Sequence, residues 1–541
     1  MINKKTNIFI ILLLLLSFTV FGCSKPVKDG ENPEQPVEEV KKPLAGGELV
    51  LPITQFDTLN PILNKNESIF YFNQLVYDGL VFLDSKLEAQ PALATGWTAT
   101  ENGDGWTFQL RENVSWHDGQ PFTAEDVKFT IDALRTSNGN VEKSIFSGFV
   151  KNIKNITVLG SHKIFIETNS AIGNQIENFQ FPIIPKHKYG SPEDVFKSPK
   201  DLLVGTGRYK VEAYTKPNYV RLKSNDKYWD TSAFVPTVIG KIVPDPETAL
   251  SSVEANEASV GKATDFDWEK YGEDKTLKTY AYTDWDYEFI GFNFNRAITA
   301  DKSIRTAIAY GIDRHQIVND VYFGHATITD TPIHPDSWLN DASAQKYGKE
   351  QERAKKLLAD ANWRDENKDG ILENELNQKL SLTLLVNNDN PRRVEVADMV
   401  VTQLKEIGIE VIAEKVNWEE YQYRLNSGGF DMVLGGWKMS VNPDISFIFH
   451  SSYMGNSNFI GYSNPQLDQQ LMEAALAKSA EDRKQKYRDV QNTILEEIPY
   501  YSLFFENNAL VVKDYVKGNI DPKPYNIYNN IEQWYVLEEK E

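Results

Sequence analysis

One cysteine, Cys23, stands in a chain of 541 residues. A chain of that length with no second thiol has no internal disulfide, so its fold must rest on large hydrophobic cores. Hydrophobic residues make up 41% and aromatic residues 12% of the sequence, enough to build several such cores. The length predicts two or three domains.

The position of Cys23 carries a second message. Lys4 and Lys5 precede an almost wholly apolar run, Ile8 to Val20 (IFIILLLLLSFTV). A basic head followed by a short apolar core is the pattern of a secretion signal, and the run is shorter than the ~20 residues of a spanning helix. Phe21-Gly22-Cys23 resembles the lipobox of bacterial lipoproteins, with Phe21 where a smaller residue is usual. The expectation is a signal peptide over 1–22, lipidation of Cys23, and an exported protein anchored to the outer face of the cytoplasmic membrane. Residues 23–46, rich in Pro, Glu, Lys and Gly, read as a flexible tether.

The formal charge is −20, and removing residues 1–22 with their two lysines takes it to −22. Nucleic acid is therefore an unsuitable partner, and membrane attachment must come from Cys23 rather than from charge.

The folded part alternates strand and helix. Strands are expected at 47–53, 105–111 and 409–416, and in FDMVLGGW; the region from Leu202 to Trp229 also reads as strands. Thr123 with Asp126 makes a capping pattern ahead of Val127, Ile131 and Leu134 on one helical face. Asp313 opens a helix with Gln316 as reciprocal cap. Val394, Ala397, Val401, Leu404 and Ile407 form a stripe stopped by Gly408. The later half reads as an α/β lobe with a mostly parallel sheet, and 509–536 returns to strand character.

Seven phrases carry a resemblance in one register: WHDGQPFTAEDVKFTIDAL, FPIIPKHKYG, GTGRYKVEAY with SNDKYW, IRTAIAYGIDRHQIV, ERAKKLLADANW, LGGWKMSVNPDISFIFHS and GYSNPQLDQQLMEAALA. Together they resemble the solute-binding proteins of peptide- and nickel-type ABC importers, from about Gly47 to the end. The resemblance implies an α/β, two-lobed, periplasmic-binding-protein-like fold with mixed sheets, a hinge and an extra inserted subdomain, the large cluster C type. It implies lobe I from 47–80, 204–284 and 506–541, an insertion at 81–203, and lobe II at 285–505. It also implies a monomer that takes an oligopeptide or another small solute to a membrane permease.

Candidate ligand-binding residues follow. Trp437 ends a strand after Gly435 and Gly436, where an aromatic either packs in the core or walls a cleft. The family pattern places Trp418 and Arg424 near the ligand as well. Peptide-binding relatives carry an acid three positions after the tryptophan, to pair the peptide's α-ammonium; here Ser440 stands there, with Asp444 the nearest acid. A serine offers no charge, so a non-peptide solute (an oligosaccharide or metal chelate) is the alternative. Asn66 and Glu67 are candidates for the opposing wall.

DENKDGILENEL matches the first half of a calcium loop through Asp365, Asn367, Asp369 and Gly370. Leu376 occupies the twelfth position, leaving Glu373 or Glu375 as a further ligand for a structural calcium. No cofactor is required. HExxH, GxSxG and phosphate-loop patterns are missing, and Ser224-x-x-Lys227 and Ser343-x-x-Lys346 are short, frequent spacings, so an enzyme or a signalling receptor is a weaker reading.

Overall fold

The structure is a computed structural model that describes residues 46–136, 144–169, 175–197, 201–266, 268–344, 346–477 and 479–537. The signal, Cys23 and nearly all of the tether lie outside these residues. Among the described residues, no helix is long and apolar enough to cross a membrane.

The fold is mixed α/β and two-lobed. In one four-stranded sheet, strand Glu48–Thr54 pairs in parallel with Thr237–Val243, which continues antiparallel to Tyr219–Ser224 and Tyr209–Thr215. A second four-stranded sheet, ordered Ala94–Ala99, Gly105–Leu110, Lys163–Thr168, Ile153–Gly160, is antiparallel throughout. Helix Ala124–Thr136 buries Val127, Ile131 and Leu134, the expected face, in the same core as this sheet. Asp126 reaches back to accept the backbone N–H of Thr123 (2.9 Å) and also that of Lys186 (2.9 Å), tying the helix start to FPIIPKHKYG.

The glycines of GTGRY have a steric reason. A Cβ on Gly205 would collide with the carbonyl of Val76, while Gly207 N–H donates to that same carbonyl (2.9 Å). Any side chain there would push this loop off the segment following helix Glu67–Asn73.

A separate hydrophobic core packs helices Lys302–Gly311, Arg314–Tyr322 and Pro391–Lys405 against strands Ser381–Asn387, Glu410–Val416 and Met432–Lys438. Those three strands are parallel, but Met432–Lys438 then pairs antiparallel with Leu277–Phe292. The sheet is thus mixed rather than mostly parallel, because the chain returns to it through two long antiparallel strands. Helix Arg314–Tyr322 is capped by Asp313, whose carboxylate accepts Gln316 N–H (3.0 Å). The reciprocal bond comes from elsewhere than expected: Asp313 N–H donates to the side chain of Gln403 (2.9 Å).

Strands Leu277–Phe292 and Tyr500–Lys513 run side by side along most of their length, and their register slips between Thr283 and Tyr287. A bulge there bends and twists the ribbon. Beyond it, residues 518–534 are turns and one short 3-10 helix rather than strand, closed at the ends by Val516–Lys517 paired with Tyr535–Val536.

A cavity built from distant segments

Among the described residues a cavity of about 700 Å³ opens, within the size range of small-molecule sites. One wall is helix Glu67–Asn73 and the turn after it. A second is Lys438–Val441, leaving the strand that ends in Lys438. The third is Pro524–Glu532 of the C-terminal segment, with Arg208, Tyr228 and Trp229 beside it. Trp285, at the register slip, reaches the same space. Two hydrogen bonds fix the C-terminal segment to the helix: Tyr71 Oη donates to Pro524 O (3.2 Å) and Gln74 Nε2 to Tyr525 O (2.7 Å).

Of the residues singled out in the sequence, Asn66, Glu67 and Ser440 line this cavity. Asn66 caps the helix, its Oδ1 accepting from Ile69 N–H (3.1 Å) and its Nδ2 donating to Thr54 Oγ1 (2.7 Å) and Gln55 O (2.9 Å). Its polar atoms are engaged in holding the wall. Glu67 pairs with Lys262 (2.9 Å). Desolvation acts to raise its pKa, but the fields of Lys262 and Lys438 outweigh it and leave the carboxyl below its ordinary value. Ser440 is exposed at the rim, its Oγ accepting Asn442 N–H (3.3 Å). Lys438 lies 3.6 Å from Asp286; desolvation opposes its charge, but Asp286, Asp284 and Glu67 together raise its pKa.

The other candidates stand elsewhere. Trp437 is half-buried among aromatics, 5.3 Å from Phe447 and 6.0 Å from Phe459 between ring centroids, and does not line the cavity. The glycine before it serves burial of a different group: a Cβ on Gly436 would strike the ion pair of Glu288 and Arg393, which meet at 2.6 and 2.8 Å. Trp418 opens helix Trp418–Ser427, stacks on Tyr421 and is 50% exposed. Arg424 bonds Glu414 and donates to Gly429 O (2.8 Å), closing the end of its own helix. Asp444 accepts Ser446 N–H (2.9 Å) in a local turn.

In the Asp365–Gly370 turn the oxygens face protein donors. Asp365 accepts from Asp369 N–H and Gly370 N–H (both 3.1 Å), and Asp369 holds Lys379 Nζ (2.6 Å). Asn367 bonds Glu373, and Glu375 is exposed. Among the described residues no three His, Cys, Asp or Glu side chains are grouped to hold a metal.

Sequence reasoning missed most of the wall: Phe70, Asn73, Phe82, Phe146, Phe149 and Tyr528. The run PYNIYNN, dense in Tyr and Asn, was the one local signal of a polar, aromatic surface.

The family model for "Bacterial extracellular solute-binding proteins, family 5 Middle" matches residues 88–459, more than half of the chain. The chain belongs to this family. Family 5 proteins bind solutes for transport and are not enzymes. The oligopeptide-binding protein AppA of Bacillus subtilis is 28% identical over 552 residues, covering 99% of each chain. Its structure in complex with a nonapeptide superposes with a TM-score of 0.61 at 27% identity, over 92% of this chain and 100% of that one. Heme-binding protein A of Haemophilus influenzae is 25% identical over 478 residues, 82% of this chain and 85% of that protein. The unliganded open form of the murein tripeptide-binding protein MppA shares the fold, with a TM-score of 0.78 at 21% identity, over 92% of this chain and 98% of that one.

Proposed function

We propose that this protein is the substrate-binding component of an ABC importer that captures oligopeptides outside the cell and hands them to a membrane permease. The observation that carries the reading is the cavity wall itself. Amide and aromatic side chains from three separated segments converge there, a surface suited to an extended backbone with varied side chains. The end-to-end likeness to AppA supports the same ligand class.

In this reading the lobes divide as the family pattern implies: 47–80, 204–284 and 506–541 form lobe I with 81–203 inserted, and 285–505 forms lobe II. The paired strands carry the hinge, where the register slip loosens the ladder. The chain acts as a monomer, and lipidated Cys23 keeps it beside its permease.

Ser440 favours a second reading, a non-peptide solute, because it supplies no counter-charge for an α-ammonium. Mass spectrometry of ligand released from the purified protein decides between them. Recovered peptides support the first reading; a recovered chelate, porphyrin or sugar establishes the second.

A further inference from the structure

The cavity's apolar surface gathers on one side. Phe146 lies 6.2 Å from both Phe70 and Phe149 between ring centroids. Phe82 and Ile145, in the same lining, are 49% and 48% exposed. In the strand Val81–Leu83 the pleat buries Val81 and Leu83 and turns Phe82 away from the core, so core packing does not account for its ring. Large apolar side chains left bare inside a concave wall mark a binding surface.

On the same helical face as Phe70 stands Asn73, three residues on. It is 6% exposed and lines the cavity, yet its Nδ2 has no hydrogen-bond partner. Buried amides are ordinarily paired, so this donor fits a partner that arrives with the ligand. Four charged residues of the lining are already engaged: Glu67 with Lys262, Arg208 and Glu532 with each other (3.6 Å), and Lys438 with Asp286. They are poorly placed to neutralise a charged side chain as well.

We propose that Phe70, Phe82, Ile145, Phe146 and Phe149 form a side-chain subsite for a bulky apolar residue of the bound peptide, with Asn73 Nδ2 donating to a backbone carbonyl beside it. This rests on the peptide reading above and narrows it to peptides with a Phe- or Leu-type side chain at one fixed position.

The test is calorimetric titration of the ligand-stripped full chain with pentaalanine and with variants carrying one Phe, Leu or Glu at each position. One position should favour Phe or Leu over Glu by about tenfold or more. Phe82→Glu should erase that preference, and Ile145→Glu provides the same test if the first variant unfolds. Asn73→Ala should weaken every peptide by about five- to tenfold without lowering the melting temperature of the unliganded protein. Peptide binding with no positional preference, or a preference that both Phe82→Glu and Ile145→Glu leave intact, overturns the subsite and leaves the peptide reading standing. A lower melting temperature with unchanged affinity in Asn73→Ala removes Asn73 from it. Failure of the wild-type protein to bind any of these peptides overturns the peptide reading and the subsite together.

Discussion

Glu177 and Arg483, 306 residues apart in the chain, face each other as a two-pronged ion pair at 2.8 and 3.2 Å. Both side chains are almost out of solvent, and the guanidinium lies over the Trp338 and Tyr487 rings. The pair joins the 81–203 stretch to helix Ala480–Glu497, and the backbone N–H of Trp338 ties a further segment to the same stretch by donating to Lys86 O (2.8 Å). Removing one partner strands a buried charge, which costs about 3–5 kcal/mol. Glu177→Ala should therefore lower stability by that order in urea unfolding. The double replacement Glu177→Leu with Arg483→Met should recover most of the loss.

Trp437 and Trp418 should separate cleanly. Trp437→Ala removes a half-buried indole from an aromatic cluster and should cost about 2–3 kcal/mol, less than a fully buried tryptophan. Trp418→Ala removes an exposed ring stacked on Tyr421 and should leave ligand affinity unchanged. Melting temperature and titration calorimetry on both variants check this; an affinity loss in Trp418→Ala would place the ligand against the outer helix.

Ser440 lines the cavity without a charge. Ser440→Asp adds a carboxylate two residues from Lys438 and should tighten binding of peptides with a free amino terminus, most clearly at low salt. N-acetylated peptides should not share the gain. An equal gain for both would show that the amine is held elsewhere.

A buried histidine and a half-buried glutamate give opposite pH slopes. His334, between Trp285 and Phe505, has its imidazole pKa lowered by burial to about 4 from 6.5. The unfolded chain then binds the extra proton first, so stability falls as pH drops from 6.5 through 4. Glu506 is pushed up to about 8 from 4.5 by burial, then by Glu288 and Asp286. Here the folded chain holds the proton, and stability falls as pH rises from 4.5 through 8. His334→Gln should flatten the acid limb, and Glu506→Gln should raise the melting temperature relative to wild type at pH 8.5 more than at pH 5. Parallel pH profiles in variant and wild type would contradict either assignment.

The Asp365–Gly370 turn is held by its own amides and by Lys379. Calcium or chelator should leave the melting temperature unchanged, whereas Asp365→Ala should cost about 1 kcal/mol through two lost hydrogen bonds. A rise with calcium would show that the carboxylates turn from these donors to an ion.

Much of the fold was legible because its signals are local. The face of helix Ala124–Thr136 and the cap at Asp313 each follow from residues within one or two turns. Legibility failed where a distant partner decides. Of the stripe on helix Pro391–Lys405, Ala397, Leu404 and Ile407 are buried as read, whereas Val394 and Val401 are half-buried and Val396 and Val400 sit deeper, on a helix whose Arg393 bonds Glu288. The strand holding Gly435-Gly436 does end at the cavity, through Lys438–Val441, but Gly436 itself is small to spare that same ion pair. The cavity was the least readable part: its third wall is fixed by bonds between residues 451 and 453 positions apart, a distance no periodicity spans.

That third wall sets an order of manufacture. Pro524–Glu532 leaves the ribosome long after helix Glu67–Asn73, which it faces. A growing chain, or one clipped after Lys513, therefore lacks one of the three walls, with Tyr71 and Gln74 left without the carbonyls of Pro524 and Tyr525. Competence for ligand comes late and all at once, so partial chains should not compete with finished receptors for scarce solute.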